Sequence, residues 1–320
     1  MKFIDLFAGI GGFHLGMEQA GHECVGWVEW DKFARKSYQA IFETEGVWNA
    51  SDIRTVRSTE IPRADCWCFG FPCQDISVAG KQKGFTAGKR SSLFFTVTGL
   101  IRDLEEKDRP SYLLIENVKN LLSINGGFDF LKLQIELDEI GYDVEWDVLD
   151  SAEVVPQHRE RIFIIGHLRG RRTRKVFPIV RKNGETNKPV KVVNQIGNIS
   201  NSKSFGGNPQ VGRVYGTDGI SPTLSTMQGG GQEPKIMLGD KGGFIKHGTN
   251  VSQNQSERRI RKITPLEVWR LQGFPDWAFC RAREAGLSDS QLYKQAGNSV
   301  TVPVIRLIAE RMALSNETRR

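Results

Sequence analysis

Apolar and polar positions follow two alternating periods along the first 170 residues. Short apolar runs, which predict β-strands, lie at Lys2–Leu6, Glu23–Val28, Ala64–Phe69, Tyr112–Ile115, Val144–Leu149 and Arg161–Gly166. Segments with helical periodicity lie between them at Gly12–Gln19, Lys32–Phe42, Leu93–Leu104 and Phe128–Ile140. Strands that alternate with amphipathic helices are typical of a parallel sheet with helices on both faces. The sequence therefore predicts an α/β fold for this part of the chain.

The pattern changes between about Phe177 and Arg261, where Asn, Gly, Ser and Lys dominate. So long a segment without regular structure is uncommon inside a compact domain, which predicts a small, loop-rich domain that contains strands. Helical periodicity returns at Thr264–Leu271, with Thr264 as N-cap and Pro265 at the first helical position, and again at Val302–Ala313. The predicted division is residues 1–177 and 178–262, followed by a return segment, 263–320, that completes the first domain.

Composition excludes several classes of protein. The 320 residues are 39% hydrophobic and 25% charged, and no apolar run is long enough to span a membrane. The first residues lack the charged and apolar regions of a signal peptide, so we expect a cytoplasmic chain with reduced thiols. The five cysteines have no disulfide rhythm and no second Cys/His cluster, so we expect no metal site.

The net charge of +7 is unevenly distributed. Between Gln157 and Tyr215 there are 13 Lys and Arg against 2 Asp and Glu, a local net charge of +11. A solvated basic surface and a polyanion-binding face both fit this excess. Its concentration in one part of the chain favours the polyanion-binding face.

The stretch FIDLFAGIGGF (Phe3–Phe13) places a glycine-rich turn between the first strand and the first helix. Such glycines let the backbone approach a ligand closely. Glu29 ends the second strand, 18 residues after Gly11, where an acidic side chain can bind ribose hydroxyls. The pattern predicts a nucleoside cofactor. The spacing departs from G-x-G-x-x-G, which disfavours a pyrophosphate but leaves both NAD and S-adenosylmethionine open.

Three further motifs lie at predicted strand ends: GFPCQ (70–74), IENV (115–118) and QHRER (157–161). Ligands bind at the carboxyl ends of parallel strands, so Cys73 and Glu116 can converge. Arg159 and Arg161 have like parity and can point to one side. A thiolate, a proton-donating carboxyl and an arginine suit attack on a heteroaromatic ring. A packing cysteine, a capping glutamate and loop-holding arginines are the structural alternatives, which the joint occurrence of the motifs disfavours.

Together with EWD (29–31), RLQGFP (270–275) and AGNSV (296–300), these motifs occur in the order of the bacterial C5-cytosine-specific DNA methyltransferases. The chain resembles the short, single-subunit enzymes of restriction–modification systems over 1–177 and 263–313. The resemblance implies a Rossmann-like, S-adenosylmethionine-dependent methyltransferase sheet with a smaller, loop-rich target-recognition domain at 178–262.

The resemblance also implies a mechanism. Cys73 would add to C6 of a cytosine flipped out of a specific short double-stranded DNA sequence, while Glu116 acts at N3 and C5 takes the methyl group of S-adenosylmethionine. Arg159 and Arg161 resemble residues that contact the flipped nucleotide.

Further positions are implied by the same resemblance. The cofactor would contact Phe7, Gly9, Gly11, Glu29, Trp30, Asp52, Ile53, Pro72, Leu93, Asn298, Ser299 and Val300. DNA would contact Ser77, Lys81, Gln210, Arg213, Thr223 and Leu224, and residues 80–91 resemble a lid that closes over DNA. We expect a monomer, with a cognate restriction endonuclease acting separately as a candidate partner.

Three alternative functions are disfavoured by the sequence. A tRNA-methylating enzyme of the same family is disfavoured by the glycine run at 229–231, which is typical of the DNA enzymes. A non-catalytic, sequence-specific DNA-binding protein is disfavoured because Cys73, Glu116, Arg159 and Arg161 are all present. A nicotinamide dehydrogenase would explain neither Cys73 with Glu116 nor the basic segment.

Overall fold

The computed structural model describes residues 1–71, 93–179, 192–200, 206, 208–227, 231–238 and 259–313. The chain forms two compact units, which are described separately. The first comprises Met1–Leu149, Glu160–Asn183 and Val302–Arg320, and the second comprises Asp150–Arg159 and Gly184–Thr301. By contact, residues 263–301 thus belong to the second unit, whereas the functional boundaries drawn from the sequence stay a prediction.

A single mixed sheet forms the centre of the first unit. Its strands are β1 (Lys2–Leu6), β2 (Glu23–Val28), β3 (Trp48–Ala50), β4 (Cys66–Gly70), β5 (Tyr112–Val118), β6 (Tyr142–Asp150) and β7 (Glu160–Leu168). They lie in the order β3-β2-β1-β4-β5-β7-β6. The pairs β1–β2, β2–β3, β1–β4 and β4–β5 are parallel.

Strand β7 departs from the predicted parallel arrangement, because it runs antiparallel to β5. The cause is the length of the connection. A parallel crossover needs a dozen or more residues, and only residues 151–159 join β6 to its neighbour β7.

The helices of the described residues are α1 (Gly12–Gln19), α2 (Lys32–Ile41), α3 (Leu93–Asp103), α4 (Phe128–Glu139), α5 (Pro265–Leu271), α6 (Asp276–Glu284), α7 (Asp289–Asn298) and α8 (Val302–Met312). In the first unit, the core lies between the sheet and its helices and includes the fully buried Ile4, Phe69, Phe94, Leu113 and Leu133. None of the helices in the described part of the chain has both the length and the apolar character needed to cross a membrane.

The parallel strands of the first unit define two edges of its sheet. Strands β1 to β5 end at Leu6, Val28, Ala50, Gly70 and Val118, and we call the side on which they end the carboxyl edge. The opposite side, where these strands begin and β7 ends, is the amino edge. In open α/β sheets ligands bind at the carboxyl edge, so we expect a ligand site among the segments that follow these strands.

The described part of the second unit contains a small sheet and three helices. Its strands are β8 (Gln195–Asn198), β9 (Arg213–Gly216), β10 (Lys235–Leu238) and β11 (Arg259–Lys262), in the order β11-β10-β9-β8. The predicted start of α5 is confirmed: Thr264 is the N-cap, Pro265 follows it, and Glu267 completes a capping box with Thr264.

Candidate functional site

The turn between β1 and α1 has an unusual backbone. Phe7, Gly9 and Gly11 all have positive φ, of 56°, 57° and 83°. A non-glycine residue in this region is uncommon, and such strained residues cluster at functional sites. A Cβ atom on Gly11 would lie 2.1 Å from the ring of Phe42, so the turn requires glycine there for space as well as for conformation.

This geometry predicts that Gly11→Ala destabilises the fold by more than its φ alone would require. Gly21 is a matched control, because its φ is 82° and a Cβ atom there would meet no atom within 4 Å. We expect Gly21→Ala to cost about 1–2 kcal/mol of unfolding free energy, because alanine would adopt a left-handed conformation there. Gly11→Ala should cost a further 1–3 kcal/mol or so through overpacking. Urea denaturation measures both, and equal losses would contradict the packing argument.

Glu29 follows β2 at the carboxyl edge, and its carboxyl group is hydrogen-bonded to the backbone of the glycine-rich turn. Oε2 accepts the backbone N–H of Gly9 at 2.7 Å, and Oε1 accepts that of Asp31 at 2.8 Å. The residue is 7% exposed. Burial raises the pKa of Glu29, and the two backbone hydrogen bonds oppose that rise. Each oxygen keeps a second lone pair, so the group can still accept hydrogen bonds from a ligand.

Arg35 of α2 joins the ends of β2 and β3. Its Nη1 donates to the carbonyl oxygens of Glu29 at 3.1 Å and Ala50 at 2.7 Å, and its Nη2 donates to Asn49 Oδ1 at 2.8 Å. The guanidinium also lies 4.5 Å from the centroid of the Trp27 ring. The sequence prediction missed this residue, because one arginine in an amphipathic helix carries no signal of its tertiary partners.

The remaining predicted cofactor positions of the first unit differ in exposure. Asp52 follows β3, and its carboxylate is bound by Arg54 through Nε and Nη2, which holds the pKa of Asp52 below its usual value. Ile53 is buried, whereas Trp30 is 77% exposed. Leu93, the first residue of α3, is half-buried against the core.

Glu116 lies near the end of β5, directly across from Gly70, the last residue of β4. Its Oε1 is 3.0 Å from Arg161 Nε, and the two side chains are only 14% and 16% exposed. A Cβ atom on Gly70 would lie 3.0 Å from Glu116 Oε2, so glycine leaves room for the carboxyl group. The structure therefore brings Glu116 and Arg161 together as a largely buried ion pair at the carboxyl edge.

Pro72, Cys73, Ser77 and Lys81 lie outside the described residues. The chain immediately before them is attached to β5, since Asn117 Nδ2 donates to the carbonyl oxygen of Phe71 at 2.8 Å. Asn117 is buried and was not among the predicted site residues. The signal for it was its place in the ENV motif.

Arg159, in the second unit, has partners different from those of Arg161. Its Nη1 donates to the carbonyl oxygen of Leu224 at 3.3 Å, and its Nη2 donates to those of Gly297 at 3.1 Å and Ser299 at 2.8 Å. Arg159 is 3% exposed. It thus fastens the segment around Leu224 to the end of α7. The implied contact of both arginines with a flipped nucleotide stays a prediction.

The Thr223–Leu224 segment is also bound to residues 157–158. Thr223 Oγ1 donates to the carbonyl oxygen of His158 at 2.7 Å, and the N–H of Leu224 donates to Gln157 Oε1 at 3.2 Å. Thr223 is exposed, and Leu224 is buried. These bonds hold the exposed Thr223 at the surface of the unit.

The other predicted residues of the second unit are spread over two regions. Gln210 is exposed in a short 3-10 turn, and Arg213 begins β9, where its Nη2 donates to the carbonyl oxygen of Asn208. Asn298 is the exposed last residue of α7, and Ser299 and Val300 after it are buried.

Comparison with known proteins adds independent information. The sequence profile of the C-5 cytosine-specific DNA methylases matches residues 1–314. The type II methyltransferase M.HhaI of Haemophilus parahaemolyticus is 34% identical over 336 residues, which cover 97% of this chain and 93% of that protein. The type II methyltransferase M.HaeII of Haemophilus aegyptius is also 34% identical, covering 100% of this chain and 95% of its own.

Solved structures share the fold. The Dnmt2 methyltransferase of S. pombe superposes with a TM-score of 0.69 at 18% identity, covering 97% of each chain. The methyltransferase EhMeth of Entamoeba histolytica gives a TM-score of 0.67 at 19% identity, covering 98% of this chain and 97% of that one. The predicted Rossmann-like methyltransferase fold is thereby confirmed. The profile match over nearly the whole length, together with these relatives, shows that the chain belongs to the C-5 cytosine-specific DNA methylase family.

Proposed function

We propose that the chain transfers a methyl group from S-adenosylmethionine to C5 of a flipped-out cytosine in a specific short double-stranded DNA sequence. The observation that carries the proposal is Glu116, held by Arg161 at the carboxyl edge and paired in register with Gly70. Cys73 follows Gly70 by three residues in the sequence. Addition to a pyrimidine ring requires a carboxyl group and a thiolate at one site.

In the proposed reaction the thiolate of Cys73 adds to C6 of cytosine while Glu116 protonates, or donates a hydrogen bond to, N3. The electron pair that develops at C5 would then bond to the methyl carbon as the bond from that carbon to the sulfonium sulfur breaks, which leaves S-adenosylhomocysteine. Loss of the C5 proton to solvent and of the thiolate from C6, with return of the N3 proton to Glu116, restores the ring as 5-methylcytosine. Arg161 contributes by fixing Oε1 of Glu116, so that Oε2 lies on the side of Gly70.

The residues of the carboxyl edge fit the proposed cofactor. Glu29 would accept hydrogen bonds from ribose hydroxyls with the lone pairs that Gly9 and Asp31 leave. Asp52 and Ile53 would meet the adenine edge, and Phe7 its ring. A Cβ atom on Gly9 would meet nothing within 4 Å, which is consistent with an open face above the turn. S-adenosylmethionine would supply an electrophilic methyl group.

Incubation of DNA with the protein and S-adenosylmethionine, followed by bisulfite sequencing, tests the proposal. We expect methylated cytosines within one short motif, and unmodified DNA would overturn the proposal. An equimolar tRNA competitor separates the two substrates, because methyl transfer to tRNA in place of DNA would indicate the tRNA branch. The cytoplasmic location, the monomeric state and a separate endonuclease stay predictions.

Arg35 is expected to act as a positioning residue for cofactor binding, because it fixes the segments that carry Glu29 and Asp52. We expect Arg35→Ala to raise KM for S-adenosylmethionine roughly 10-fold or more while kcat at saturation changes little. Arg35→Lys should restore only part of the affinity. The ammonium group keeps the charge but lacks the planar fork that reaches several acceptors. Arg57→Ala, at an exposed ion pair with Glu60, is the matched control. Equal KM values for both alanine variants would contradict this role.

A further inference from the structure

One lysine of the second unit is hydrogen-bonded to the backbone of several segments. Lys235 is the first residue of β10 and was not among the predicted site residues. Its Nζ donates to the carbonyl oxygens of Val211 at 2.6 Å and Gly231 at 3.0 Å, and a longer bond of 3.4 Å reaches that of Glu233. An ammonium group has three donors and no acceptor, so these carbonyl groups use its whole hydrogen-bonding capacity.

The surroundings of Lys235 differ from those of a lysine that neutralises phosphate. Its side chain is half-buried. Burial lowers the pKa of Lys235, the carboxylate of Glu233 opposes this effect, and the neighbouring Lys262 adds to it. A lysine that binds phosphate donates its N–H groups to phosphate oxygens, whereas those of Lys235 are donated to the protein's own backbone. The contacts therefore indicate a residue that orders the chain around it.

The first segment that Lys235 binds is the short 3-10 turn Gln210–Gly212, which directly precedes β9. Gln210 and Val211 are both exposed in this turn. A glutamine amide and an apolar side chain are groups that contact base edges in the grooves of DNA. The turn thus presents a polar and an apolar group side by side, and Lys235 fixes the backbone that carries them.

The second segment is the end of the glycine run at 229–231. Gly231 has a φ of 71°. A Cβ atom on Gly231 would lie 3.4 Å from the side chain of Val211, so the end of the run lies beside the turn. One ammonium group therefore joins the turn that carries Gln210, a predicted DNA contact, to a run that is typical of DNA-methylating enzymes.

The same turn is also attached to β8, the strand on the other side of β9 from β10. Nδ2 of Asn198, the last residue of β8, donates to the carbonyl oxygen of Pro209 at 2.8 Å and to Asn208 Oδ1 at 2.9 Å. The N–H of Ile199 donates to the carbonyl oxygen of Gly212 at 2.8 Å. A Cβ atom on Gly212 would collide with Asn198 Oδ1. The exposed turn is therefore ordered by both strands that flank β9.

We propose that Lys235 is a positioning residue for base recognition, which holds the turn Gln210–Gly212 against Gly231 in the arrangement that recognises the target sequence. The inference rests on the proposed function, which makes a specific DNA sequence the substrate. A binding group discriminates between ligands only if its own support keeps it within about 0.5 Å of the productive geometry. Segments that are ordered before binding also lose less entropy in the complex. Without the ammonium group the turn has several arrangements, and related sequences are accepted.

Discrimination between related sequences tests the proposal. Bisulfite sequencing gives the motif, and kcat/KM is then measured on the target duplex and on duplexes that differ from it by one base pair. Lys235→Met removes the donors and keeps the bulk of the side chain. It should lower the ratio of target to altered duplex about 10-fold at one position or more, since one mismatched pair weakens specific binding by roughly one to two orders of magnitude. An unchanged ratio at every position overturns the proposal.

Salt dependence separates this role from a phosphate contact. If Lys235 bound phosphate, Lys235→Met would weaken binding to all sequences alike and lower the slope of log K against log[NaCl] by about 0.9 in magnitude. A positioning residue releases no counterion, so we expect the slope to stay unchanged when it is measured by fluorescence anisotropy with the target duplex. A fall of about 0.9 would overturn the proposal.

Lys262→Met is the matched control. Lys262 pairs with Lys235 across β10 and β11, and its Nζ lies 3.2 Å from Glu233 Oε2. The substitution removes a cation from the same sheet and leaves the bonds of Lys235 in place, so discrimination should not change. An equal loss of discrimination in Lys262→Met would attribute the effect to charge alone and overturn the proposal.

A second variant keeps the test decisive if circular dichroism shows that Lys235→Met does not fold. Asn198→Ala removes the attachment of the turn to β8 and should also lower the ratio of target to altered duplex, whereas an unchanged ratio would overturn the proposal. Absence of any methylation by the unmodified protein would refute the proposed function. Unchanged ratios in variants of an active protein would refute this inference alone.

Discussion

Cys73→Ala is expected to abolish methyl transfer, lowering turnover about 10⁴-fold or more, because the proposed reaction needs a thiolate to form the bond to C6. Two of the other cysteines, Cys24 and Cys68, offer no ready thiolate. Burial raises the pKa of Cys24 to about 12 and raises that of Cys68 well above its usual value, so both thiols stay protonated. Cofactor binding should survive the substitution, since Glu29 and Asp52 follow other strands.

Two measurements check this result. Radiolabelled methyl transfer reports turnover, and calorimetry with S-adenosylmethionine reports cofactor binding. A duplex with 5-fluorocytosine at the target adds a direct readout, because fluorine cannot leave C5 as a cation and the Cys73 bond should persist on a denaturing gel. Cys280→Ala, at an exposed thiol in α6, is the matched control. Methylation retained by Cys73→Ala would refute the nucleophile, and lost cofactor binding would indicate a structural role.

The first unit was largely predictable because its strands are continuous apolar runs separated by helical periodicity. Strands β1 and β2 have the predicted limits. Strand β3 was missed because three residues are too few to show a period. The orientation of β7 depends on which strand lies beside it, and a strand's periodicity carries no information about its neighbour.

The second unit was harder to predict. Helices α6 and α7 were missed, although Ser288 caps α7 in the usual way. Only three residues of α6 are buried, Ala278, Phe279 and Ala282, so its apolar stripe is weak in sequence. Tertiary packing, more than local pattern, determines both helices.

The residues of the candidate site also differ in how far the sequence could predict them. The positions of Glu29 and Glu116 at the carboxyl edge were predictable, because Glu29 directly follows β2 and Glu116 lies near the end of β5. The sequence did not predict that Arg159 and Arg161 have separate partners. Their like parity suggested one direction for both side chains, but only Arg161 lies within β7. The role of Arg35 was equally unpredictable, because its partners lie on other elements, at the ends of β2 and β3.

The second large effect is expected for Glu116→Gln. The amide keeps the size of the carboxyl group and can donate a hydrogen bond to N3, but it cannot transfer a proton, so kcat should fall by about 10²- to 10⁴-fold. The ion pair with Arg161, 3.0 Å long and largely buried, would also be lost. Arg161→Ala separates the two effects, because it removes the pair and leaves the acid. If proton transfer dominates, Arg161→Ala should retain more activity than Glu116→Gln.

Glu160→Gln is the matched control for this substitution. Glu160 lies beside Arg161 in β7 and forms an exposed ion pair with Lys119 at 2.8 Å. The substitution therefore removes a carboxylate from the same strand and leaves Glu116 unchanged. Single-turnover methylation and the rate of trapping by 5-fluorocytosine should both slow in Glu116→Gln, since the acid acts as sulfur adds. Slow methylation with a normal trapping rate would place Glu116 after the addition step. A kcat near that of Glu160→Gln would remove Glu116 from the chemistry altogether.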